Sequence, residues 1–216
     1  ELYQTIFEMA WLLRGMENLL MDFLADPDLA HAICEKLTDL RVRQAVRYAE
    51  LGVDILRLGD DVGTQTGPMI GLETYRTFLK ERTRRIIAAA KRVSPDLLVF
   101  MHCDGQVSRF IPEYLEIGVD ILNPVQPECN DLAAIGRQYG DRLSFWGGIG
   151  TQSTMPFGTP EDVRQKVREV QLALGSRGGL LLALLMLPLF VPTLVFGIEA
   201  VRSATLDSAA FLPSFL

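Results

Sequence analysis

Histidine and carboxylate side chains end one short apolar segment of the chain, Leu97–Gly105. Its first five residues fit a buried parallel strand, and His102, Cys103 and Asp104 follow directly. Because successive side chains of a strand point to opposite faces, His102 and Asp104 share one face and Cys103 takes the other. Such a pair at the carboxyl end of a strand can act as acid, base or metal ligand. The same spacing also fits a structural hydrogen-bonded pair.

Three further predicted strands, Val53–Leu58, Val119–Asn123 and Leu143–Gly147, also lead into polar or glycine-rich sequence. The carboxyl ends of parallel strands meet at one face, so we expect a cleft rich in carboxylate, imidazole and amide groups. The candidate catalytic residues are Asp60, Asp61, His102 and Asp104. The candidate substrate-binding residues are Asn123, Gln126, Trp146 and Gln152. For the first two aspartates, capping of their own glycine-rich loop is the alternative.

A metal site is the more specific hypothesis for this cleft. His102 and Asp104 are the candidate ligands, and Zn²⁺ is the favoured ion if a cysteine joins them. Cys103 is predicted to point to the other face, and Cys129 lies in a different loop. Neither cysteine belongs to a short-spacing zinc motif.

Composition narrows the classes of function. A net charge of −6 argues against a nucleic-acid-binding surface. The three cysteines are widely spaced, which fits a reducing compartment. No signal peptide precedes the first amphipathic segment, so residues 1–177 are expected to be cytoplasmic. The chain does not begin with Met, and we expect it to be a fragment.

Predicted strands alternate with predicted helices over residues 1–177. The helices are predicted at 1–24, 26–51, 72–92, 107–117, 131–139 and 159–174, and the basic face of the third is expected to be solvated. The alternation predicts an α/β fold with parallel strands. A complete barrel needs about 250 residues. We therefore expect a partial TIM-type (βα) barrel of four to five units, in which Gly178–Ala183 would supply the fifth strand.

Residues 178–216 form a second, apolar block. No charged residue occurs from Gly178 to Ile198. As a helix, this stretch would span about 31 Å, which matches the apolar thickness of a bilayer. The prediction is a transmembrane or membrane-contacting tail over 178–198; the alternative is a buried strand followed by a core helix.

Several motifs of residues 1–177 resemble the uroporphyrinogen decarboxylase superfamily, near its cobalamin-dependent methyltransferases. The motifs are Phe7-Glu8, Leu13-Arg-Gly15, Gly52-Val-Asp54, Gly59-Asp-Asp-Val-Gly63, His102-Cys-Asp-Gly105, Gly118–Gln126, Trp146–Gln152 and Gly158-Thr-Pro-Glu161. The resemblance implies an (αβ)₈ barrel. It also implies decarboxylation of a tetrapyrrole-type substrate, or methyl transfer from a corrinoid carried by a partner protein to a small thiol. Zinc and a homodimer are further expectations.

The chain departs from the family patterns at several positions. Zinc-dependent methyltransferases end this strand with His-x-Cys-Gly, whereas Asp104 stands at the second ligand position here. Trp11 and Asp61 correspond to the Tyr and Ser that contact porphyrinogen in the decarboxylases. The family's amino-terminal arginine-rich motif and first catalytic aspartate have no counterpart. These departures favour methyl transfer over porphyrinogen decarboxylation.

The tail resembles a different family. Gly178–Gly197 is similar to a transmembrane segment of the B-type permease of the haem exporter used in cytochrome c maturation. Two alternative hypotheses follow. The chain is a fragment of the membrane component of such an exporter, or it is a chimeric sequence, joined at Gly178–Ala183, without activity of its own.

Overall fold

Six short parallel strands form one sheet in the computed structural model, which describes residues 1–176 and 179–181. Each strand pairs with the next one along the chain. The strands are β1 (Leu2–Tyr3), β2 (Ile55–Gly59), β3 (Leu98–His102), β4 (Ile121–Asn123), β5 (Ser144–Trp146) and β6 (Leu180–Leu181). Parallel pairing in chain order, with helices between most strands, confirms the predicted α/β class and is consistent with a partial TIM-type barrel.

The helices that begin at Pro27, Leu72, Leu132 and Pro160 start within one residue of the predicted positions, whereas the other connecting helices do not. The full set of helices is α1 (Phe7–Arg14), α2 (Met16–Ala25), α3 (Pro27–Glu50), α4 (Leu72–Tyr75), α5 (Glu81–Val93), α6 (Ile111–Glu116), α7 (Leu132–Tyr139), α8 (Thr154–Phe157) and α9 (Pro160–Leu174). A π-helical turn, Arg76–Lys80, joins α4 to α5. Asp26 accepts a hydrogen bond from the backbone of Leu29 at the start of α3, and Thr159 forms a capping box with Asp162 at the start of α9.

The predicted single helix over residues 1–24 is wrong. Leu2–Tyr3 pairs with β2 as a sixth strand, and the helical part is divided at Gly15, whose φ of +85° ends α1. A two-residue strand is too short to produce a periodic pattern, so its apolar residues cannot be told apart from those of the helix that follows. The break between α1 and α2 falls at Gly15 because glycine adopts a positive φ more readily than other residues do.

The two faces of the sheet differ in character. One face carries a row of apolar side chains that are each at most 4% exposed: Leu56, Leu58, Val99, Met101, Leu122 and Phe145. By strand alternation, the other face carries Tyr3, Arg57, Phe100, His102, Asn123 and Trp146. The second face, called the polar face below, therefore holds the histidine singled out in the sequence.

The loops that follow β2 and β3 touch each other through two glycines. A Cβ on Gly105 would lie 2.7 Å from the carbonyl carbon of Gly63 and 2.7 Å from the nitrogen of Thr64. Gly105 also has a φ of +76°, in the left-handed region that disfavours other residues. The nitrogen of Gln106 donates a hydrogen bond to the carbonyl of Thr64 across the same contact. The two loops are thus fixed against each other backbone to backbone.

The basic face predicted to be solvated keeps its arginines partly exposed and also pairs them with acidic residues. Glu113 of α6 lies between Arg76 and Lys80, and its side chain is only 4% exposed. Arg85 of α5 contacts Glu35 of α3. Lys91 of α5 contacts Asp120, which directly precedes β4. The reason is that the helices of neighbouring βα units pack side by side, which places their charged edges within contact distance.

The predicted tail falls largely outside the described residues. Of residues 178–216, the structure describes only 179–181, which include β6 of the predicted fifth unit. The compact unit that contains the sheet extends to Leu181, and the predicted boundary at 177 stays a prediction. Among the described residues, no helix has both the length and the apolar character needed to cross a bilayer.

The contact between the two loops predicts a large cost for a methyl group at one glycine. We expect Gly105→Ala to lower the free energy of unfolding by about 3 kcal/mol, because backbone overlap adds to the strain of a positive φ. Gly52→Ala is the matched control, since Gly52 has a φ of +74° but nothing within 4 Å of an added Cβ. Its expected cost is about 1 kcal/mol. Urea denaturation measures both; similar losses would contradict the close contact.

Candidate functional site

His102 lies in the middle of a row formed by the last residues of the strands. The pairing register places Tyr3 beside Gly59, Gly59 beside His102, and His102 beside Asn123. A Cβ on Gly59 would lie 3.0 Å from the Cβ of His102 and 3.1 Å from a ring carbon of Tyr3. The missing side chain therefore leaves space for the edge-to-face contact of the Tyr3 and His102 rings, whose centroids are 5.4 Å apart.

Two carboxylates face the imidazole from the loops after β2 and β3. The Nε2 atom of His102 lies 3.9 Å from Oδ1 of Asp61 and 3.8 Å from Oδ2 of Asp104. One potential ligand atom from each of the three residues lies within 4.8 Å of the other two. The backbone nitrogen of Asp104 donates a 2.8 Å hydrogen bond to Oδ1 of Asp61. We call these three residues the histidine–aspartate cluster.

Asn123 determines which nitrogen of His102 carries the proton. Its amide nitrogen donates to the carbonyl of Trp146, so its Oδ1 atom is the one that faces His102 Nδ1, at 2.6 Å. An amide oxygen can only accept, so Nδ1 must donate. In the neutral imidazole, Nε2 therefore has a free lone pair directed toward the two aspartates.

The pKa shifts in the cluster reflect burial and mutual charge. Burial opposes the charged form of His102, but its interactions with Asp104, Asn123 and Asp61 outweigh this, and its pKa is raised. Burial also raises the pKa of Asp61, against a hydrogen bond from the Asp104 backbone. His102 lowers the pKa of Asp104 despite partial burial. The cluster therefore favours bound positive charge, either a proton or a cation.

Asp60 faces away from this cluster. Its carboxylate is buried and accepts hydrogen bonds from the backbone nitrogens of Ile6, at 2.9 and 3.2 Å, and Glu8, at 3.0 Å. Burial raises the pKa of Asp60 to about 6, although these hydrogen bonds and the charge of Arg41 act in the opposite direction. Asp60 thus binds the start of α1, and a catalytic role for it stays a prediction.

Cys103 lies on the opposite side of the chain from His102 and Asp104, as strand alternation predicts. It is fully buried, next to Tyr114 of α6, and burial raises the pKa of its thiol to about 12. Cys129 is partly exposed, and the charges of Glu128 and Asp104 add to burial in raising the pKa of its thiol. Neither thiol belongs to the histidine–aspartate cluster.

The predicted substrate-binding residues divide into two groups. Trp146 follows Asn123 along the polar face and contacts Phe100 edge to face at 5.5 Å. Gln126 is buried, and its amide exchanges hydrogen bonds with Gln65 and accepts one from the Gly105 backbone. Gln152 is exposed, and its backbone nitrogen donates to Glu128. Asn123 therefore contacts the cluster, and Trp146 lies one strand further along the polar face. Gln126 instead links the loops that follow β2 and β3.

Glu8 is a further acidic residue that the sequence reasoning did not select. Only 5% of it is exposed, and its Oε2 atom has no hydrogen-bond partner among the described residues. Burial, together with the charges of Asp60 and Asp61, raises the pKa of Glu8 to about 7. The available signal was its position among the apolar residues of α1, where a carboxylate is costly to bury.

The cluster is chemically suited to a divalent metal ion. Zinc bound by histidine and carboxylates at about 2.0–2.2 Å holds its ligand atoms about 3.4 Å apart. The separations from Nε2 are 3.8 and 3.9 Å, and all three ligand atoms lie within 4.8 Å of one another, so the side chains would move inward on binding zinc. Three protein ligands leave a coordination position open, which is the arrangement of catalytic zinc sites. The Glu8 carboxyl group lies nearby, and because its pKa is raised to about 7 it favours its neutral form unless a positive charge binds beside it.

Comparison with known proteins places this chain in a family. The sequence profile of the uroporphyrinogen decarboxylase (URO-D) family matches residues 6–184. The chain belongs to the URO-D family. The fold agrees: a solved methyltransferase from Methanosarcina mazei superimposes with a TM-score of 0.65 at 18% identity, covering 80% of this chain and 48% of that one.

Curated relatives carry two kinds of activity in their names. The methylated-thiol–coenzyme M methyltransferase of Methanosarcina mazei is 32% identical over 168 residues, covering 76% of this chain and 42% of the relative. The uroporphyrinogen decarboxylase of Chlorobaculum tepidum is 21% identical over 151 residues, covering 70% and 40%. The chain thus spans about two fifths of these relatives. Heme exporter protein B of Paracoccus denitrificans is 81% identical over 26 residues, 12% of each chain.

The position of Asp60 in this URO-D chain predicts a structural cost when its carboxylate is removed. We expect Asp60→Ala to lower the free energy of unfolding by about 2–3 kcal/mol, because buried backbone donors at the start of α1 lose their acceptor. Asp26→Ala, which removes a single exposed cap bond of 3.2 Å, should cost about 1 kcal/mol. Thermal and urea unfolding compare the variants. A smaller loss for Asp60→Ala than for Asp26→Ala would contradict this assignment.

The raised pKa of Glu8 predicts a pH-dependent stability. The folded state holds the Glu8 proton up to about pH 7, whereas the unfolded state loses it near pH 4.5, so stability falls as pH rises through this interval. Glu8→Gln cannot ionise. As the pH rises from 5 to 8, the free energy of unfolding of Glu8→Gln should therefore increase relative to that of the wild type, by up to about 3 kcal/mol.

The control for this experiment is Glu17→Gln, which changes an exposed glutamate of α2 by the same atoms. Its free energy of unfolding should follow that of the wild type across the pH range. Parallel pH curves for Glu8→Gln and the wild type would show that Glu8 does not titrate abnormally.

Proposed function

We propose that this URO-D chain is part of a thiol methyltransferase and that the histidine–aspartate cluster holds a divalent metal ion, with zinc favoured. The observation that carries the proposal is the convergence of Asp61, His102 and Asp104, whose potential ligand atoms all lie within 4.8 Å of one another. The name of the Methanosarcina mazei relative, at 32% identity, supports a thiol as the methyl-group acceptor or donor.

Each residue of the site has a distinct part in this proposal. His102 presents the Nε2 lone pair, and Asn123 holds the ring in that tautomer. Asp61 and Asp104 supply carboxylate oxygens, and the hydrogen bond between the two residues keeps them on the same side of the imidazole. When bound, the metal ion would hold a substrate sulfur as thiolate, which is the nucleophilic form.

Aromatic side chains on the polar face provide the apolar surroundings. Tyr3 packs against His102 on one side, and Trp146 and Phe100 form an edge-to-face pair nearby. Apolar walls around a metal site restrict water and strengthen its electrostatic interactions. The side chain of Asp104 remains 55% exposed, so the cluster is accessible from solvent.

The complete methyl-transfer reaction would also require groups that the described residues do not supply. Because the chain spans about two fifths of its named relatives, methyl transfer by an intact protein belongs to the proposal. A corrinoid carried by a partner protein is the methyl carrier that the resemblance in the sequence implies. The described residues would supply the metal-binding side of such a reaction.

Porphyrinogen decarboxylation is a weaker candidate for this site. Its substrate carries several carboxylates, and Asp61 and Asp104 would repel them. Identity to the named decarboxylases is also lower, at 20–24%. The haem-exporter and chimeric-sequence hypotheses concern the tail. The match that supports them covers only 26 residues and does not bear on the histidine–aspartate cluster.

The proposal predicts metal binding that depends on His102 and not on Cys103. The wild-type chain should take up about one equivalent of Zn²⁺, or of Co²⁺ as a spectroscopic probe. His102→Ala should abolish uptake, and Asp104→Asn should weaken it by about tenfold or more. Cys103→Ser is the control and should leave uptake intact, since the thiol is buried on the other face.

Equilibrium dialysis with metal analysis measures the stoichiometry, and the visible absorption of Co²⁺ reports the ligands. Far-ultraviolet circular dichroism of each variant checks that the fold is retained. Loss of metal in Cys103→Ser with retention in His102→Ala would reverse the ligand assignment. Absence of uptake by the folded wild-type chain would overturn the metal site.

A further inference from the structure

A cavity of about 580 Å³ lies between α3 and α5, away from the histidine–aspartate cluster. Three residues of each helix line it: Asp39, Val42, Arg43, Arg85, Ala88 and Arg92. Their spacings of three, four and seven residues put each set on one face of its helix. All of them except Val42 are exposed, whereas Ala45 and Ile86 of the same helices are fully buried. The cavity therefore opens on the solvent side of the two helices.

Two of the three arginines in this cavity have no ionic partner. Four of the five basic residues of α5 form ion pairs with carboxylates: Arg82, Arg84, Arg85 and Lys91. The fifth, Arg92, has no ion pair or side-chain hydrogen bond among the described residues, and neither has Arg43 of α3. Both of these exceptions line the same cavity. Their guanidinium donors are therefore available to a ligand.

The third arginine is held in place from α3. Nη1 of Arg85 lies 2.5 Å from Oε1 of Glu35, and its Nη2 lies 3.5 Å from Oδ1 of Asp39. Glu35 is shared with Arg82, so it balances the charge of Arg85 only in part. These contacts fix one guanidinium between the helices, while the long distance to Asp39 leaves its second nitrogen weakly bound.

The lining residues carry an excess of positive charge. Three guanidinium groups and one carboxylate give them a net charge of plus two, although the whole chain has a net charge of −6. Like charges held in one cavity repel each other, and a bound anion relieves that repulsion. The sign and the size of the excess match an anion with two negative charges.

We propose that this cavity binds the phosphate group of a small phosphomonoester. The planar N–H pairs of arginine match the geometry of phosphate oxygens, and Arg43 and Arg92 provide such pairs from opposite helices. A phosphomonoester carries close to two negative charges at neutral pH. Val42 and Ala88 have small apolar side chains, which leaves room between the arginines for the rest of the molecule. The cavity volume lies within the range of small-molecule sites.

Isothermal titration of the full chain with glycerol 3-phosphate, in phosphate-free buffer, tests the site. Arg43→Gln and Arg92→Gln should each weaken binding by about tenfold, because each removes a charge-assisted pair of hydrogen bonds. Arg168→Gln is the matched control, since Arg168 is an exposed arginine of α9 that also lacks a partner among the described residues. It should leave the affinity unchanged. Equal effects of the three changes would overturn the proposal.

A change in the opposite direction separates binding from folding. Asp39→Asn removes the carboxylate from the cavity lining and keeps its shape, so it should tighten glycerol 3-phosphate binding by about threefold. A gain in affinity cannot arise from a loss of structure. Weaker or unchanged binding by Asp39→Asn would contradict the charge argument on which the proposal rests.

Two further probes identify the kind of anion. Glycerate, a carboxylate with one negative charge, should bind at least about tenfold more weakly than glycerol 3-phosphate. Phosphatidic acid in phosphatidylcholine vesicles presents the same phosphomonoester on a membrane surface. The enclosed position between two helices favours a free small molecule, so these vesicles should bind no better than phosphatidylcholine alone. Vesicle binding without binding of glycerol 3-phosphate would overturn the assignment to a small molecule.

The site is tested independently of the metal cluster. His102→Ala, with or without added Zn²⁺, should bind glycerol 3-phosphate as the wild type does, because His102 does not line the cavity. Loss of binding in His102→Ala would place the phosphate at the histidine–aspartate cluster and overturn the proposal. Failure of the wild-type chain to bind glycerol 3-phosphate would also overturn it, and would leave the proposed function untouched.

Discussion

The backbone contact between the loops after β2 and β3 is the constraint on which the site depends. Gly63 and Gly105 meet so closely that neither position has room for a side chain. Asp61 lies two residues before one glycine, and Asp104 directly precedes the other. The contact therefore sets the distance between the two carboxylates, and the Asp104-to-Asp61 hydrogen bond sets their orientation. Asn130 reinforces it by accepting from Val107 and donating to the carbonyl of Gly105.

A second layer of buried carboxylates lies behind this contact. Asp60 binds the first turn of α1, and α1 in turn carries Glu8 toward Asp61. Burying several acidic groups together opposes folding, because each prefers its neutral form there. The raised pKa values of Asp60 and Glu8 mean that a positive ligand bound nearby would favour their ionised forms.

Much of this arrangement could be predicted from the sequence. The alternation of short apolar runs with helical patterns identified the four central strands, and strand parity separated His102 and Asp104 from Cys103. Which of two adjacent aspartates reaches the cluster could not be predicted, because loop residues have no fixed parity. Asp61 reaches it and Asp60 does not.

One physical reason explains why the sequence analysis did not select several residues near His102. Glu8 and Tyr3 approach His102 from the start of the chain, and only the pairing of β1 with β2 brings them there. Local patterns cannot report contacts between segments more than fifty residues apart. Arg57 is recognisable in the sequence as a charge inside an apolar strand. Its contacts with the rings of Tyr3 and Phe100 come from neighbouring strands, so the sequence alone could not predict them.

The π-helical turn between α4 and α5 has a consequence for sequence comparison. This turn accommodates one more residue than an α-helical turn would. Its two ends, Arg76 and Lys80, both form ion pairs with Glu113 of α6. A homologue with one residue fewer here would keep a continuous helix but rotate one end relative to the other by about 100°. Only one of the two cations could then reach α6. A single-residue alignment gap between 76 and 80 therefore indicates whether the second and third βα units are joined by both ion pairs.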